Sequence, residues 1–573
     1  MTANRFPMRV AIVLVVLAIA ANADQRLDAA MDAIVTRLYE KMDLAELQAL
    51  DEKKLEPYIT PEDRDALATA YWTFDVNVPV VVSVMRHMDQ AHVPFWLEEK
   101  GFKKTDLVVK NEQNNYAVWQ KEFEAGPVGL GMNGFDGHRF SYFAAVGPKN
   151  PGDTVEIKNL SPAHPPVLKM EPGSMTYIDW TELVLTEVPE ALRGHHLLTT
   201  FRGRARETHL TGGGFRETPY PATDKPDQIT LTWNGDPKTT QAVLWRTNLS
   251  VTTGAARFNE KGSEARRVVN ASMEKIDDRM LANDRTSHRF TAVLDGLKPG
   301  TTYEYQVGDP GRDVWSNTHE FTTAPENADT FSFAFLTDTH NKDIAGKALA
   351  AAYGRNPQPS FVLISGDLVD FGLRRDDWDK FFFHMGEPLA RFPTLPAIGN
   401  HDDQDGLGPG TYLKQFALPD IQVDGIPTER AYSVRYANAL FLSLPIGISI
   451  ETLGKWMEKE LSTTDAKWKF AFYHFPVYTS SARYQNDYDL QREIWGGLFD
   501  KYRLDVMFTG HTHRYNRTKP IRDGKEVESA SEGTYYVVSA PGHSQTIHIN
   551  GNRLEYLSHD LQGELKDQFV IEK

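Results

Sequence analysis

Five apolar runs of strand length in the C-terminal part of the chain each stop at residues able to bind a metal ion. "FSFAFLT" runs into Asp338-Thr339-His340, and "FVLIS" runs into Gly366-Asp367 followed by Asp370. "PTLPAI" leads to Gly399-Asn400-His401-Asp402, "KFAFY" to His474, and "DVMFT" to Gly510-His511-Thr512-His513. Short apolar runs alternating with helix-like segments such as "DIAGKALAAAYG" predict layered α/β structure. Ligands of such folds gather at the carboxyl ends of the strands, so the five groups can meet on one rim.

The donor set mixes carboxylate, imidazole and one amide oxygen, which suits Mn, Fe or Zn. The chain has no cysteine, which excludes a thiolate zinc knot and any disulfide. Asp338, His340, Asp367, Asn400, His474, His511 and His513 are too many for one catalytic ion with an open position. They suit two ions, divalent or of mixed valence, sharing a carboxylate, as in phosphoryl transfer.

At 573 residues the chain is too long for one core. The first residues carry two arginines, an apolar run from Val10 to Ala21 and the small-residue pattern Ala21-Asn22-Ala23. They read as a secretory signal over 1–23, cleaved after Ala23, with no stable membrane anchor expected. A disulfide-free exported chain fits a periplasmic or secreted bacterial protein. The formal net charge of -16 repels phosphate backbones and makes nucleic acid an unexpected partner.

Residues 24–104 show helical spacing in Leu27, Met31, Ile34, Leu38 and Met42, while 105–216 contain short strand-like runs. Together they predict an N-terminal α+β region of unknown role, closed by a Pro-rich linker over 217–226. Residues 227–325 carry alternating, β-branched runs and predict a small β-sandwich. Residues 326–573 alternate short apolar runs and helix-like segments and are expected to form an α/β sandwich of two mixed β-sheets flanked by helices. "GLGMNG" at 129–134 matches a dinucleotide pattern but lacks the helix that should follow, and the acidic group around Asp376 reads as a solvated first helical turn.

The ordered set "DTH", "GDLVD", "GNHD", "H" and "GHTH" resembles the calcineurin-like metallophosphoesterase superfamily. "YHFPVYTSS", "GHTHRYNRTKP" and "GTYYVVSAPGHS" resemble purple acid phosphatases, which also place a fibronectin type III-like domain ahead of the catalytic one. "LKPGTTYEYQV" is similar to the Pro-Gly turn and following strand of that domain type.

The resemblance implies that Asp338, His340 and His513 hold one ion, that Asn400, His474 and His511 hold the other, and that Asp367 bridges them. It further implies in-line attack on phosphorus by a metal-bridging hydroxide, with His401 protonating the leaving alkoxide and Asp370 orienting its imidazole. Asp402, Tyr478 and Arg514 lie beside matched positions and are expected to line the substrate pocket. Purple acid phosphatases lack the first-motif His and use a Tyr where this chain has Asp370, so a colourless site is expected here. The expected substrate is a small phosphate monoester. Phosphodiester hydrolysis by the same site is the alternative, and a binding or surface-attachment role with a vestigial site is a further one. The sequence does not fix the oligomeric state.

Overall fold

The computed structural model describes residues 25–162, 167–178, 183–355, 359–481 and 488–573. The expected signal segment lies outside these residues. The chain divides into two compact units, one formed by Met1–Arg216 with Arg279–Ala282 and Asp405–Leu407, the other by Glu217–Asp278, Asn283–Gln404 and Gly408–Lys573.

The first unit opens with a helix over 25–39 that buries Leu27, Met31, Ile34 and Leu38, the stripe set by their three- and four-residue spacing. Asp43 and Thr60 cap the next helices with reciprocal capping boxes. Helical structure over 61–69 ends there, and Trp72–Val76 and Val80–His87 are strands, although 24–104 was expected to be helical. The β-branched run "VPVVVSV" decides this, because Val80, Val82 and Val84 pack on a pleated face. Val80–His87 lies inside a nine-stranded sheet. In the dinucleotide-like stretch, Gly126–Leu130 is a strand, and a side chain at Gly129 or Gly131 would strike the Thr69 carbonyl or the Trp96 ring. Close packing therefore accounts for those two glycines.

In the second unit, Asp227–Thr232, Gln241–Thr247, Thr286–Leu294 and Ser272–Asp277 form a four-stranded sheet. Arg267–Asn270, Ala255–Glu260, Thr302–Asp309 and Val314–Trp315 form another, with His319–Thr322 added beside Thr302–Asp309. Leu231, Val243, Trp245, Phe258, Phe290, Tyr305 and Phe321 form one core cluster drawn from both sheets. Gly300 turns the chain at φ +60°, which the Pro-Gly turn requires.

Beyond these lie two six-stranded sheets. Strands β1 (Thr330–Leu336), β2 (Val362–Ile364) and β3 (Thr394–Pro396) run parallel in one, continued by three antiparallel strands between Ser544 and Glu572. Strands β4 (Trp468–Tyr473) and β5 (Val506–Thr509) are parallel neighbours in the other. All five are buried, as expected of parallel strands covered on both faces. Phe333 of β1 stacks on Phe361 and meets Phe441, Phe470 and Phe508 edge to face, joining the two sheets through one aromatic cluster.

Helix α1 (Asp343–Arg355) follows β1 and helix α2 (Arg375–Met385) follows β2. The acidic group at the start of α2 is buried rather than solvated: Asp376, Asp377 and Asp379 are 4%, 4% and 1% exposed. Asp379 accepts hydrogen bonds from Thr218, Gln228 and the buried Arg246, at 2.8, 2.8 and 2.6 Å. A buried carboxylate needs such partners, and here they come from distant parts of the chain.

Candidate metal centre

Each of β1 to β5 ends in a loop that turns sharply, and the turns are braced on one another. The Asp338 and His340 amides donate to the carbonyls of Gly366 and Asp367, and the Gly510 amide donates to that of His474. The His401 amide donates to Asp367 Oδ1, and the His511 amide to both oxygens of Asp338. Asp338, His340, Asn341, Asp367, His511 and His513 all have positive φ, between 46° and 69°. Such backbone costs an L-residue on the order of 1 kcal/mol or more each and persists where the surroundings over-determine it.

Glycines precede three of the expected ligands for a steric reason. A Cβ at Gly366 would stand 2.7 Å from Nδ1 of His474, one at Gly399 would collide with the Asp367 carboxylate, and one at Gly510 with Asp338. These glycines allow strand ends from both sheets to approach.

The side chains converge. Asp367 Oδ2 lies 3.0 Å from His474 Nε2, 3.8 Å from His340 Nε2 and 4.0 Å from His401 Nε2. His513 Nε2 is 3.2 Å from Asp338 Oδ1 and 3.0 Å from His340 Nε2. Asp338-His340-His513, His340-Asp367-His401 and Asp367-His474-His511 are three groups whose donor atoms lie close enough to share an ion. Asn400 is buried, and its Oδ1 makes no hydrogen bond among the described residues. A buried oxygen left without a donor is costly, and a cation would satisfy it. The side chains present therefore fit a metal centre.

Burial opposes charging of Asp338, Asp367, His474 and His511. For Asp367 it is outweighed by the imidazoles of His474 and His401, which hold the carboxyl well below the usual range. Asp338 is also lowered, burial being offset chiefly by its hydrogen bond with His513. His474 is raised to about 9, since its pairing with Asp367 outweighs burial, whereas burial and the neighbouring His474 bring His511 down to about 3. His474 Nδ1 faces the Ser365 carbonyl at 3.0 Å. A carbonyl only accepts, so Nδ1 carries the proton and Nε2 is directed at the cluster.

Two expected roles change. The Asp370 carboxylate does not reach the His401 ring: His401 Nδ1 donates to the Asp370 main-chain carbonyl at 2.6 Å, while Oδ1 lies 3.0 Å from His340 Nδ1. The carboxylate is drawn to the buried imidazole, and the carbonyl is left for the other. Asp402 does not line a substrate pocket; it is fully buried and accepts the amides of Leu368 and Gly399 at 2.9 Å, clamping two ligand loops together. Tyr478 is half-buried and packs its ring 4.5 Å from that of Tyr536. Arg514 is exposed immediately after His513.

Asn341 escaped the sequence reading. It follows "DTH" directly and bonds to Asp370 and Asp377, so its signal was a polar residue in the position next to a ligand.

Residues 331–515 match the calcineurin-like phosphoesterase family model, and residues 226–323 match the purple acid phosphatase N-terminal domain. Purple acid phosphatase 23 of Arabidopsis thaliana is 26% identical over 272 residues, covering 40% of this chain and 57% of that protein. Fe(3+)-Zn(2+) purple acid phosphatase 12 of the same plant is 23% identical over 319 residues, covering 52% and 66%. This chain thus spans between about half and two thirds of the length of the curated relatives it matches. The solved purple acid phosphatase PPD1 of yellow lupin (Lupinus luteus) shares the fold at a TM-score of 0.56 and 14% identity, over 87% of this chain and 93% of that one. Residues 226–573 alone cannot supply that share, so the likeness of fold extends into the N-terminal unit.

Proposed function

We propose that this chain, which carries a calcineurin-like phosphoesterase domain behind a purple acid phosphatase N-terminal domain, is a dinuclear-metal-dependent phosphoric ester hydrolase acting on small phosphate monoesters. One observation carries the reading: Asp367 Oδ2 stands within 4.0 Å of three imidazole nitrogens supplied by strands of two different sheets. Asp338, His340 and His513 would hold one ion, Asn400, His474 and His511 the other, and Asp367 both. Two bound cations of the Mn, Fe or Zn type would polarise the phosphoryl oxygens and activate water.

The chain's own residues have separate tasks in this reading. His401, partly exposed at the rim, is held at Nδ1 by the Asp370 carbonyl, which leaves Nε2 to carry a proton toward the leaving-group oxygen. The three positively φ-strained loops that bear Asp338, Asp367 and His511 keep the donor atoms in place before any substrate arrives. Arg514, exposed beside His513, would meet a phosphate oxygen in this reading. We take residues 227–325 as a fibronectin type III-like domain. The apolar run Val10–Ala21 and its small-residue cleavage pattern support export to the periplasm or medium. Among the described residues no helix is long and apolar enough to cross a membrane.

Elemental analysis of the purified protein, with turnover of p-nitrophenyl phosphate and of its bis-ester by Mn- or Zn-loaded protein, tests the reading. Two metal equivalents and monoester turnover lost in Asp367→Asn are expected. Faster diester turnover would reassign the substrate class, and the absence of both metal and turnover would leave a binding role.

A further inference from the structure

A short chain of polar contacts runs away from the metal centre into α2. Asn341 accepts the Asp370 amide on Oδ1 at 3.2 Å and donates from Nδ2 to Asp377 Oδ1 at 2.9 Å. Asp377 is buried in the first turn of α2, where Lys380 Nζ stands 3.2 Å from the same oxygen. Asn341 itself is 7% exposed, and its φ of +48° is a cost that a side chain free to move would not repay. Its own amide donates to the Leu368 carbonyl at 2.9 Å. Asn341 is therefore tied to the β2 loop at two points and to α2 at a third.

The residue it holds serves two histidines through two different atoms. The Asp370 carbonyl accepts from His401 Nδ1, and the Asp370 carboxylate faces His340 Nδ1 at 3.0 Å. The carbonyl puts the His401 ring proton on Nδ1, and Nε2 of each ring faces the Asp367 carboxylate, at 4.0 Å for His401 and 3.8 Å for His340. A shift of the Asp370 backbone would rotate both rings.

From this geometry we infer that Asn341, buttressed by Asp377, is a positioning residue that sets the orientation of His340 and His401 together. The inference rests on the proposed metal centre and adds the residue that aligns its first-motif histidine with the rim histidine. Outer partners of metal-binding histidines are worth about 10–100-fold in metal affinity or activity.

The test uses the full chain. Asn341→Ala is expected to lower kcat and to weaken one of the two metal equivalents in chelator competition, each about 10–100-fold, with the other equivalent little changed. Asn341→Asp places two carboxylates face to face and should do the same. Combined with Asp377→Asn, it keeps the bond accepted from the Asp370 amide and restores the 341–377 bond with donor and acceptor exchanged, and should recover most of the loss. Because the exchange would also rescue a folding defect, metal affinities are compared at equal folded fraction. Chelator competition and the ring planes of His340 and His401 in a crystal structure of Asn341→Ala need no turnover. They judge the inference even if the wild-type protein hydrolyses no ester. Rings unmoved in Asn341→Ala, or metal affinity within twofold of wild type, would overturn it, as would failure of the exchanged pair to recover.

Discussion

Asp370 fixes the His401 ring through its main-chain carbonyl, 2.6 Å from Nδ1, and not through its carboxylate. The carboxylate is engaged 3.0 Å from Nδ1 of His340. One residue thus aligns two imidazoles, and mutating its side chain reaches only one of them.

Asp370→Asn keeps the carbonyl and an oxygen acceptor for His340, so kcat should fall only about tenfold or less. His401→Ala removes the proton donor and should cost about 10²–10⁴-fold on a phosphate ester with a poor leaving group. It should cost much less on p-nitrophenyl phosphate, whose leaving group needs little protonation. The ratio of kcat for phenyl phosphate to that for p-nitrophenyl phosphate reads the difference. An equal fall of this ratio in both variants would show that the Asp370 carboxylate serves His401 after all.

Gly399→Ala should separate site geometry from overall stability. The added methyl would meet the Asp367 carboxylate and backbone, so metal content is expected to drop below two equivalents and turnover by at least about 100-fold. Gly496→Ala is the control. Gly496 lies within the helix Asp489–Tyr502 with nothing within 4 Å of its added carbon, so alanine should stabilise by about 0.5–1 kcal/mol and leave turnover unchanged. Paired melting curves and metal analyses check both.

The ligand set was legible because each group is contiguous: an apolar strand followed by its polar residues, with a glycine wherever loops approach. Asp338, His340, Asp367, His474, His511 and His513 meet on that account, and the buried, unpaired oxygen of Asn400 joins them. The role of Asp370 was not legible, because a main-chain carbonyl leaves no trace in residue type. Asp402 misled for a related reason, since a carboxylate that caps two backbone amides looks in sequence like one that meets substrate. The acids of α2 appeared solvated because their partners, Arg246 and Thr218, lie more than 130 residues away in the chain. Strands Trp72–Val76 and Val80–His87 were hidden behind a strong helical stripe that ends before them.

Removing metal should destabilise the second unit and leave no colour to lose. A ligand present at about 1,000 times its Kd stabilises by about 4 kcal/mol, so excess chelator should lower the thermal midpoint by several degrees. The sequence resemblance implies that Asp370, beside His340, takes the position of the coloured Tyr ligand of purple acid phosphatases. Iron-loaded protein should therefore show two metal equivalents and no purple charge-transfer band in its visible spectrum, and a purple protein would refute the assignment of His340 in place of that Tyr.

Asp377 provides a pH-dependent prediction away from the ligands themselves. Burial, helped by the adjacent Asp376 charge, raises its carboxyl from 3.8 to about 6, against the opposing pull of Lys380 and Arg374. The native state thus binds this proton more tightly than the unfolded chain does. Ionisation penalises folding progressively as pH rises from about 4 to 6, and the full penalty, about 3 kcal/mol at most, is present above pH 6. Asp377→Asn removes the charge while its amide oxygen can still accept from Asn341, so the contact to the metal-centre loops survives. The variant should melt a few degrees above wild type at pH 7, and the gap should close as pH falls toward about 3, where the wild-type carboxyl is largely protonated in both states. Thermal midpoints across that range decide it: a gap independent of pH would mean that the gain comes from packing, and no gain at pH 7 would mean that Lys380 and Arg374 already compensate the buried charge.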